Sequence, residues 1–192
     1  MNIFARTLGG YFGDRFGVKG GLQGRVRFLV MIMLIEGLVL ITFSQISYFP
    51  VAFAVLIMFS LSVQMAEGAT FTVVPFINKK CIGSVAGIVG AGGNVGAVLA
   101  GLLLKSNAGP AADAAIANAQ AAGLSEAAVQ TQLAIAESAA ISSSYLWIGL
   151  FVIVTGLLGL TVRFSEAAEK EVSQEMSTAS ASKNNASQPS LA

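Results

Sequence analysis

The chain has 192 residues, of which 55% are hydrophobic and only 11% are charged, whereas a soluble domain usually carries about 25% charged residues. It contains no histidine and a single cysteine, which excludes histidine-dependent catalysis, disulfides within the chain and thiolate metal clusters. The net charge of +1 offers no polybasic surface for nucleic acid. We therefore expect an all-α membrane protein whose surroundings are a lipid bilayer, with no cofactor, no metal site and no nucleic-acid partner.

Four apolar stretches are long enough to cross a membrane. A hydrocarbon core of about 30 Å requires about 20 helical residues. The stretches that meet this requirement are residues 28–48, 49–77, 82–104 and 145–162. Residues 1–13 form a shorter apolar stretch that ends before Asp14, and we interpret it as the end of a helix whose beginning is missing. The expected fold is thus a helical bundle with four complete transmembrane helices and one partial helix.

Composition divides the rest of the chain. Residues 107–142 are rich in alanine and lack Lys, Arg and aromatic residues, which predicts an external loop of weak helicity with one local helix capped by Ser125. Residues 165–192 are rich in Ser, Glu, Lys and Asn, which predicts a largely disordered tail. The expected segments are a partial helix (1–13), a loop (14–27), three transmembrane helices (28–106), the external loop (107–142), a last transmembrane helix (143–164) and the tail (165–192).

The basic residues are distributed unequally between the two sides of these spans. If the loop 14–27 faces the cytoplasm, nine of the ten Lys and Arg residues outside the membrane lie on that side, and only Lys105 lies on the other. This asymmetry predicts a cytoplasmic C-terminus. We expect a multi-pass protein of the plasma (inner) membrane.

Four polar side chains lie at similar depths within the apolar stretches. Helix rise places Arg6 and Glu36 about 12 Å, and Glu67 and Asn94 about 16 Å, from the cytoplasmic boundary. A charge at the centre of a bilayer costs about 2.5 to 3.5 kcal/mol, so a role in binding an anion is favoured for Arg6. Glu67 can pair with Arg6 when no substrate is bound or take part in ion coupling. For Glu36, pairing with a neighbouring helix and a coupling role are both open.

The third span carries a run of small residues, GAGGNVG at positions 90–96. Glycines four residues apart predict close packing against another helix. A dinucleotide-binding loop is disfavoured because no strand–helix–strand unit surrounds the run. Asn94 can donate a hydrogen bond to an oxyanion, and Gly92 and Gly93 let a ligand approach the backbone. Packing and binding can coexist here.

Several motifs together resemble a known family. The segment GYFGDRFGVK at residues 10–19 resembles the cytoplasmic loop signature of the major facilitator superfamily. Residues 2–10, the segment EGATFTVVPF at 67–76 and the run at 90–96 resemble more closely the nitrate/nitrite porter family of that superfamily. The resemblance implies that the chain is the C-terminal portion of a twelve-helix transporter, from the end of the eighth helix to the twelfth.

The resemblance also implies roles for individual residues. In that family an arginine in the position of Arg6 clamps the substrate together with an arginine of the second helix. The family's nitrate signature maps onto Gly90, Gly92, Gly93, Asn94 and Gly96, of which Gly92, Gly93 and Asn94 are the expected substrate ligands. Asp14 and Arg15 belong to the loop signature, for which we expect a gating role. The implied partners are nitrate or nitrite, protons that are co-transported if the porter is a symporter, and the missing N-terminal helices. Proton symport and nitrate/nitrite exchange both stay open.

Other interpretations differ in what they require of Arg6. A small four-span membrane assembly protein that uses the glycine face as its interface would not need this arginine. An inactive fragment of a transporter is a further alternative, for which the incomplete first helix is the evidence. An enzyme is disfavoured because the sequence contains no recognisable nucleophile–base pair or metal cluster, so no catalytic residue is assigned.

Overall fold

The structure is a computed structural model that describes residues 2–77, 79–166, 169, 170, 172 and 174. Within them the long helices are α1 (Asn2–Gln45), α2 (Phe49–Ile77), α3 (Ile82–Ala121) and α4 (Glu126–Gly159), and a short 3-10 turn (Lys79–Cys81) joins α2 to α3. All four helices are long and apolar enough to cross a membrane. The predicted all-α membrane fold is confirmed.

Helix α1 consists of two arms that meet at a glycine pair. The backbone is not helical at Gly20 (φ −138°, ψ 19°) and Gly21 (φ 61°, ψ −148°). A positive φ suits Gly21 because a side chain would clash with the backbone there. The first arm comprises residues 2–19 and the second arm residues 22–45. The predicted loop 14–27 is therefore corrected to a break of two residues, and the predicted partial helix 1–13 continues to residue 19, because exposed charged residues are compatible with a helix.

The alanine-rich segment 107–142 also differs from its prediction. Helix α3 continues to Ala121 and α4 begins at Glu126, so the predicted loop is almost entirely helical. Alanine has the highest helix propensity, and the two helices support each other. Asn107 Nδ2 donates a hydrogen bond to Ser144 Oγ at 2.9 Å, and Ser144 is fully buried. Contacts between helices, which composition does not reveal, decide the structure of this segment.

The turn between α3 and α4 has well-defined caps. Gly123 has a φ of 65°, and the N–H of Leu124 donates to the carbonyl of Ala119 at 3.1 Å. This combination is typical of a glycine that ends a helix. The carbonyl of Ser125 accepts the N–H of Val129 at 2.9 Å, which is the first hydrogen bond of α4. Helix α4 therefore begins directly after Ser125, as the sequence predicted, and the cap by the Ser125 side chain stays a prediction.

The described chain divides into two compact units. The first contains the described residues of Met1–Met33, Leu61–Ala86 and Thr155–Ala192, and the second contains Leu34–Ser60 and Gly87–Val154. In the first unit Phe28, Ile32 and Ala69 form a buried cluster. In the second unit a Cβ at Gly37 would lie 2.8 Å from the carbonyl oxygen of Gly149, so α1 and α4 approach closely there. Most of the predicted tail, from residue 175 onward, lies outside the described residues.

Candidate functional site

The first arm of α1 crosses α2 with the two backbones in contact. A Cβ at Gly9 would overlap the backbone of Met65, and a Cβ at Gly68 would overlap the carbonyl oxygen of Arg6. A Cβ at Gly13 would also crowd α2, at 2.8 Å from the nearest side-chain atom. Gly9 and Gly13 lie one turn apart on the same face of the helix. Small residues on this face permit the close crossing, as in other packed membrane helices.

This crossing brings Arg6 next to two polar residues of α2. Nη2 of Arg6 donates to Oε2 of Glu67, and the two side chains form an ion pair. The same nitrogen donates to Oε1 of Gln64 at 3.5 Å. The side chains of Arg6 and Glu67 are 50% and 40% exposed. The charges of Arg6 and Glu67 are therefore paired with each other while both groups stay accessible.

The pair is suited to exchanging one anion for another. An arginine side chain has five N–H donors in a planar fork. Among the described residues, hydrogen bonds to the Arg6 side chain all involve Nη2, which leaves donors for a ligand. The Glu67 carboxylate presents two oxygens in one plane, the arrangement that a guanidinium fork binds best. A ligand that replaces Glu67 should therefore be a small planar oxyanion.

A second cluster forms around Arg25, on the second arm of α1. Its Nη1 donates to Oδ1 of Asp14 at 2.6 Å and to the carbonyl oxygen of Thr72 at 2.8 Å. The guanidinium carbon lies 4.8 Å from the centroid of the Phe76 ring. The Arg25 side chain is 7% exposed, whereas that of Asp14 is 63% exposed. Arg25 thus connects the two arms of α1 to each other and to α2.

Glycines make room for this cluster. A Cβ at Gly17 would lie 2.5 Å from Nε of Arg25, and a Cβ at Gly24 would overlap the carbonyl oxygen of Phe16. A glycine is therefore required at position 17 of the loop signature, because a larger residue would collide with the Arg25 side chain. The sequence does not identify Arg25 as a site residue, because a basic side chain at the edge of an apolar stretch usually extends into water. The Thr72 carbonyl that Arg25 uses lies inside α2, and no pattern in the sequence pointed to this contact.

The other predicted site residues lie apart from these contacts. Arg15 is exposed on the first arm of α1, and Glu36 is half-buried on the second arm. Asn94, Gly92 and Gly93 are exposed on α3. A Cβ at Gly92 or Gly93 would meet nothing within 4 Å among the described residues. The roles of all five in gating, coupling or binding stay predictions.

Comparison with known proteins shows several similar membrane transporters. High affinity nitrate transporter 2.5 of Arabidopsis thaliana is 43% identical over 102 residues, which are 53% of this chain and 20% of that protein. High affinity nitrate transporter 2.7 of the same plant is 38% identical over 105 residues, 55% of this chain and 21% of that protein. The nitrate/nitrite transporter NrtP of Picosynechococcus sp. is 38% identical over 120 residues, 59% of this chain and 21% of that protein.

The chain spans about a fifth of the length of the curated relatives it matches. No family model matches the chain. No solved structure matches it significantly. The motifs at residues 2–19, 67–76 and 90–96 predicted the same family as these relatives. The resemblance to the nitrate/nitrite porter family of the major facilitator superfamily is therefore confirmed over about half of the chain.

Proposed function

We propose that this chain is part of a secondary transporter that moves nitrate and nitrite across a membrane. The observation that carries the proposal is the ion pair of Arg6 and Glu67 between two apolar helices. The charged groups are held together by a crossing of helix backbones, and the arginine keeps donors for a further ligand. The names of the relatives, nitrate and nitrate/nitrite transporters, support the choice of substrate.

Nitrate and nitrite have the geometry that Arg6 can bind. Both are planar, singly charged anions with paired oxygens, which a guanidinium fork binds through parallel N–H donors. The Glu67 carboxylate has a similar O–C–O arrangement, so it occupies the place that we assign to the substrate. When the anion replaces Glu67, Arg6 exchanges one negative partner for another. The arginine therefore never becomes an unpaired cation in the apolar medium, where its cost would be high.

Uptake of an anion into a negative compartment needs a driving force. Moving one negative charge inward against 100 mV costs about 2.3 kcal/mol. Exchange for nitrite balances this charge, and symport with protons reverses it. In the symport version, a proton on the displaced Glu67 carboxylate keeps the net charge of the site unchanged when nitrate arrives. Glu36 is the other carboxylate within an apolar span, and we assign it a supporting role in coupling or in pairing with a neighbouring helix.

The placement of basic residues supports one orientation in the membrane. Residues 14–27 on both sides of the break in α1, the turn between α2 and α3 and the segment after α4 carry nearly all of the Lys and Arg residues. By the positive-inside rule these parts, together with the C-terminus, face the cytoplasm of a plasma (inner) membrane. The cluster of Asp14 and Arg25 then lies at the cytoplasmic end of the Arg6 crossing, where a gate is needed.

The complete transporter requires further helices. The relatives are about five times as long as the matched part of this chain. We propose that helices of the same transporter cover the exposed glycine run of α3 and that Asn94, with Gly92 and Gly93, then joins Arg6 as a substrate ligand.

The same open glycine run also favours a second candidate, a membrane assembly protein with this face as its interface. The two candidates differ because only the transporter needs Arg6.

A chimera tests the proposal. This chain replaces the matching segment of the Arabidopsis relative, and uptake of labelled nitrate is measured with and without Arg6→Lys. Lysine keeps the charge but loses the planar fork, so uptake should fall by about 100-fold or more while membrane insertion stays normal. Arg27→Lys is the matched control because Arg27 is exposed, and it should transport within about twofold of the unsubstituted chimera. Normal uptake by Arg6→Lys, or no uptake by a correctly inserted unsubstituted chimera, would contradict the proposal.

A further inference from the structure

A carboxylate from the segment that follows α4 reaches the break in α1. Oε2 of Glu169 accepts the backbone N–H of Leu22, and Oε1 accepts the backbone N–H of Gln23, each at 3.0 Å. Both N–H groups belong to the first turn of the second arm, where a helix start leaves N–H groups without acceptors in its own helix. The helix dipole favours a negative charge at this place. Glu169 therefore caps the second arm of α1 from more than 140 residues away along the chain.

The residues before the second arm cannot provide a cap of their own. Helices are usually capped by a Ser, Thr, Asp or Asn side chain just before the first turn. Here Gly20 and Gly21 stand in that place and have no side chains. A Cβ at Gly21 would overlap the Glu169 carboxylate, so this glycine both permits the break and admits the carboxylate. The cap has to come from another part of the chain.

The segment that carries Glu169 is held by more than these two hydrogen bonds. Val172 lies three residues further on and is 2% exposed, and Leu22, which receives the cap, is fully buried. Residues three apart on a helix share a face. Glu166 and Lys170 are exposed. Among the described residues of this segment, Glu169 and Val172 therefore face the rest of the first unit, whereas Glu166 and Lys170 are accessible.

From these contacts we infer that Glu169 is a positioning residue for α1. It holds the break at Gly20 and Gly21, which acts as a hinge between the two arms. Arg25 lies one turn after Leu22, so the cap fixes the turn from which Arg25 reaches Asp14 on the other arm. The consequence for transport rests on the proposed function, since it requires that the hinge moves between conformations. Loss of the cap should change the rate of that movement rather than the affinity of the Arg6 site for nitrate. The reason is that Glu169 contacts Leu22 and Gln23, whereas Arg6 contacts Gln64 and Glu67.

Hydrogen exchange tests the cap in the 192-residue chain itself. Exchange of the Leu22 and Gln23 amides is measured in the chain reconstituted in lipid nanodiscs. Glu169→Ala should accelerate both amides by about tenfold or more, and Glu169→Gln, which keeps an uncharged acceptor, should have a smaller effect of the same sign. Glu166→Gln is the matched control, since Glu166 lies on the same segment, and it should leave both amides within about twofold of the parent chain.

The amides of the buried α2 stretch around Ala69 report on global unfolding. They should keep their protection in all variants, so that a local effect is distinguished from a failure to fold. Unchanged exchange at Leu22 and Gln23 in both Glu169 variants would overturn the inference. Acceleration of the α2 amides in Glu169→Gln to the same degree would also overturn it, because the residue would then be a general stabiliser.

Transport by the chimera tests the positioning role. Glu169→Ala should lower the maximal rate of nitrate uptake by about threefold or more and leave KM within about twofold. Glu169→Asp, which retains the carboxylate, should restore at least about half of that rate. An unchanged maximal rate despite accelerated exchange would overturn the positioning role. If the unsubstituted chimera does not transport, the proposed function fails, and hydrogen exchange still decides whether Glu169 is a cap.

Discussion

Two arginines of the first unit carry their charge in different environments. Arg6 is half-exposed, shares one nitrogen between Glu67 and Gln64, and retains further donors. Arg25 is buried and is held by a carboxylate, a backbone carbonyl and an aromatic ring. A buried arginine with several partners is expensive to move, whereas an accessible ion pair can exchange its anion. We therefore propose that Arg6 binds the substrate and that Arg25 holds the position of the hinge.

Substitution of Asp14 tests the role of the hinge. Asp14→Asn keeps the size of the side chain but removes the negative charge that Arg25 faces. Turnover of the chimera should fall by roughly 5- to 20-fold, with little change in equilibrium affinity for nitrate, because Arg6 and Glu67 are untouched. Asp113→Asn, at an exposed position of α3, is the control and should transport normally. A large loss of affinity with normal turnover of bound substrate would show that Asp14 acts as a ligand instead.

At the level of helices, glycine has two separate uses in this chain. On α1 and α2 the glycines at positions 9, 13 and 68 lie against the backbone or side chains of the neighbouring helix. On α3 the glycines of the run at 90–96 face open space among the described residues. The first set builds the Arg6 site within this chain. If the proposed function holds, the second set is available to further helices of the transporter.

Adjacent glycines of the first arm provide a matched test of the crossing. Gly9→Ala adds a methyl group that would overlap the backbone of Met65, so it should destabilise the chain by about 1 to 3 kcal/mol. Gly10→Ala adds the same methyl group where nothing lies within 4 Å, and alanine favours a helix by about 0.5 to 1 kcal/mol. The midpoint of thermal unfolding in detergent should therefore fall for the first variant and stay or rise for the second. Equal midpoints would mean that the close crossing does not stabilise the protein.

The glycine run of α3 calls for a pair of substitutions, because packing and binding make different demands. Asn94→Ala removes an amide without adding bulk, and loss of one hydrogen bond to a charged oxyanion should weaken nitrate affinity by roughly 10- to 150-fold. Gly93→Leu adds bulk and should abolish transport by the chimera, although the stability of the isolated chain should not change. Both variants should still reach the membrane. Normal transport by Asn94→Ala beside an inactive Gly93→Leu would show that the run is a packing surface only.

At the level of the whole molecule, the sequence predicts what depends on hydropathy and leaves open what depends on contacts between distant residues. The apolar stretches correctly predict four long helices, and depth along a helix places Arg6 and Glu67 in the same layer. Their pairing across 61 positions depends on the close crossing of α1 and α2, which hydropathy does not reveal. The same holds for Glu169, whose capping role depends on the fold. The loop predictions failed because alanine-rich and charged segments become helical when neighbouring elements support them.

In the proposed mechanism, Arg6 exchanges Glu67 for nitrate. Solid-state NMR can measure the dipolar coupling between the guanidinium nitrogens of labelled arginine and the carboxylate carbon of labelled glutamate, with the chain reconstituted in bilayers. The Arg6–Glu67 signal is identified by its absence in Arg6→Lys. Saturating nitrate should abolish this coupling, and sulfate at equal ionic strength should leave it intact. A coupling that persists at saturating nitrate would contradict the account, because the anion would then bind without displacing Glu67 from Arg6.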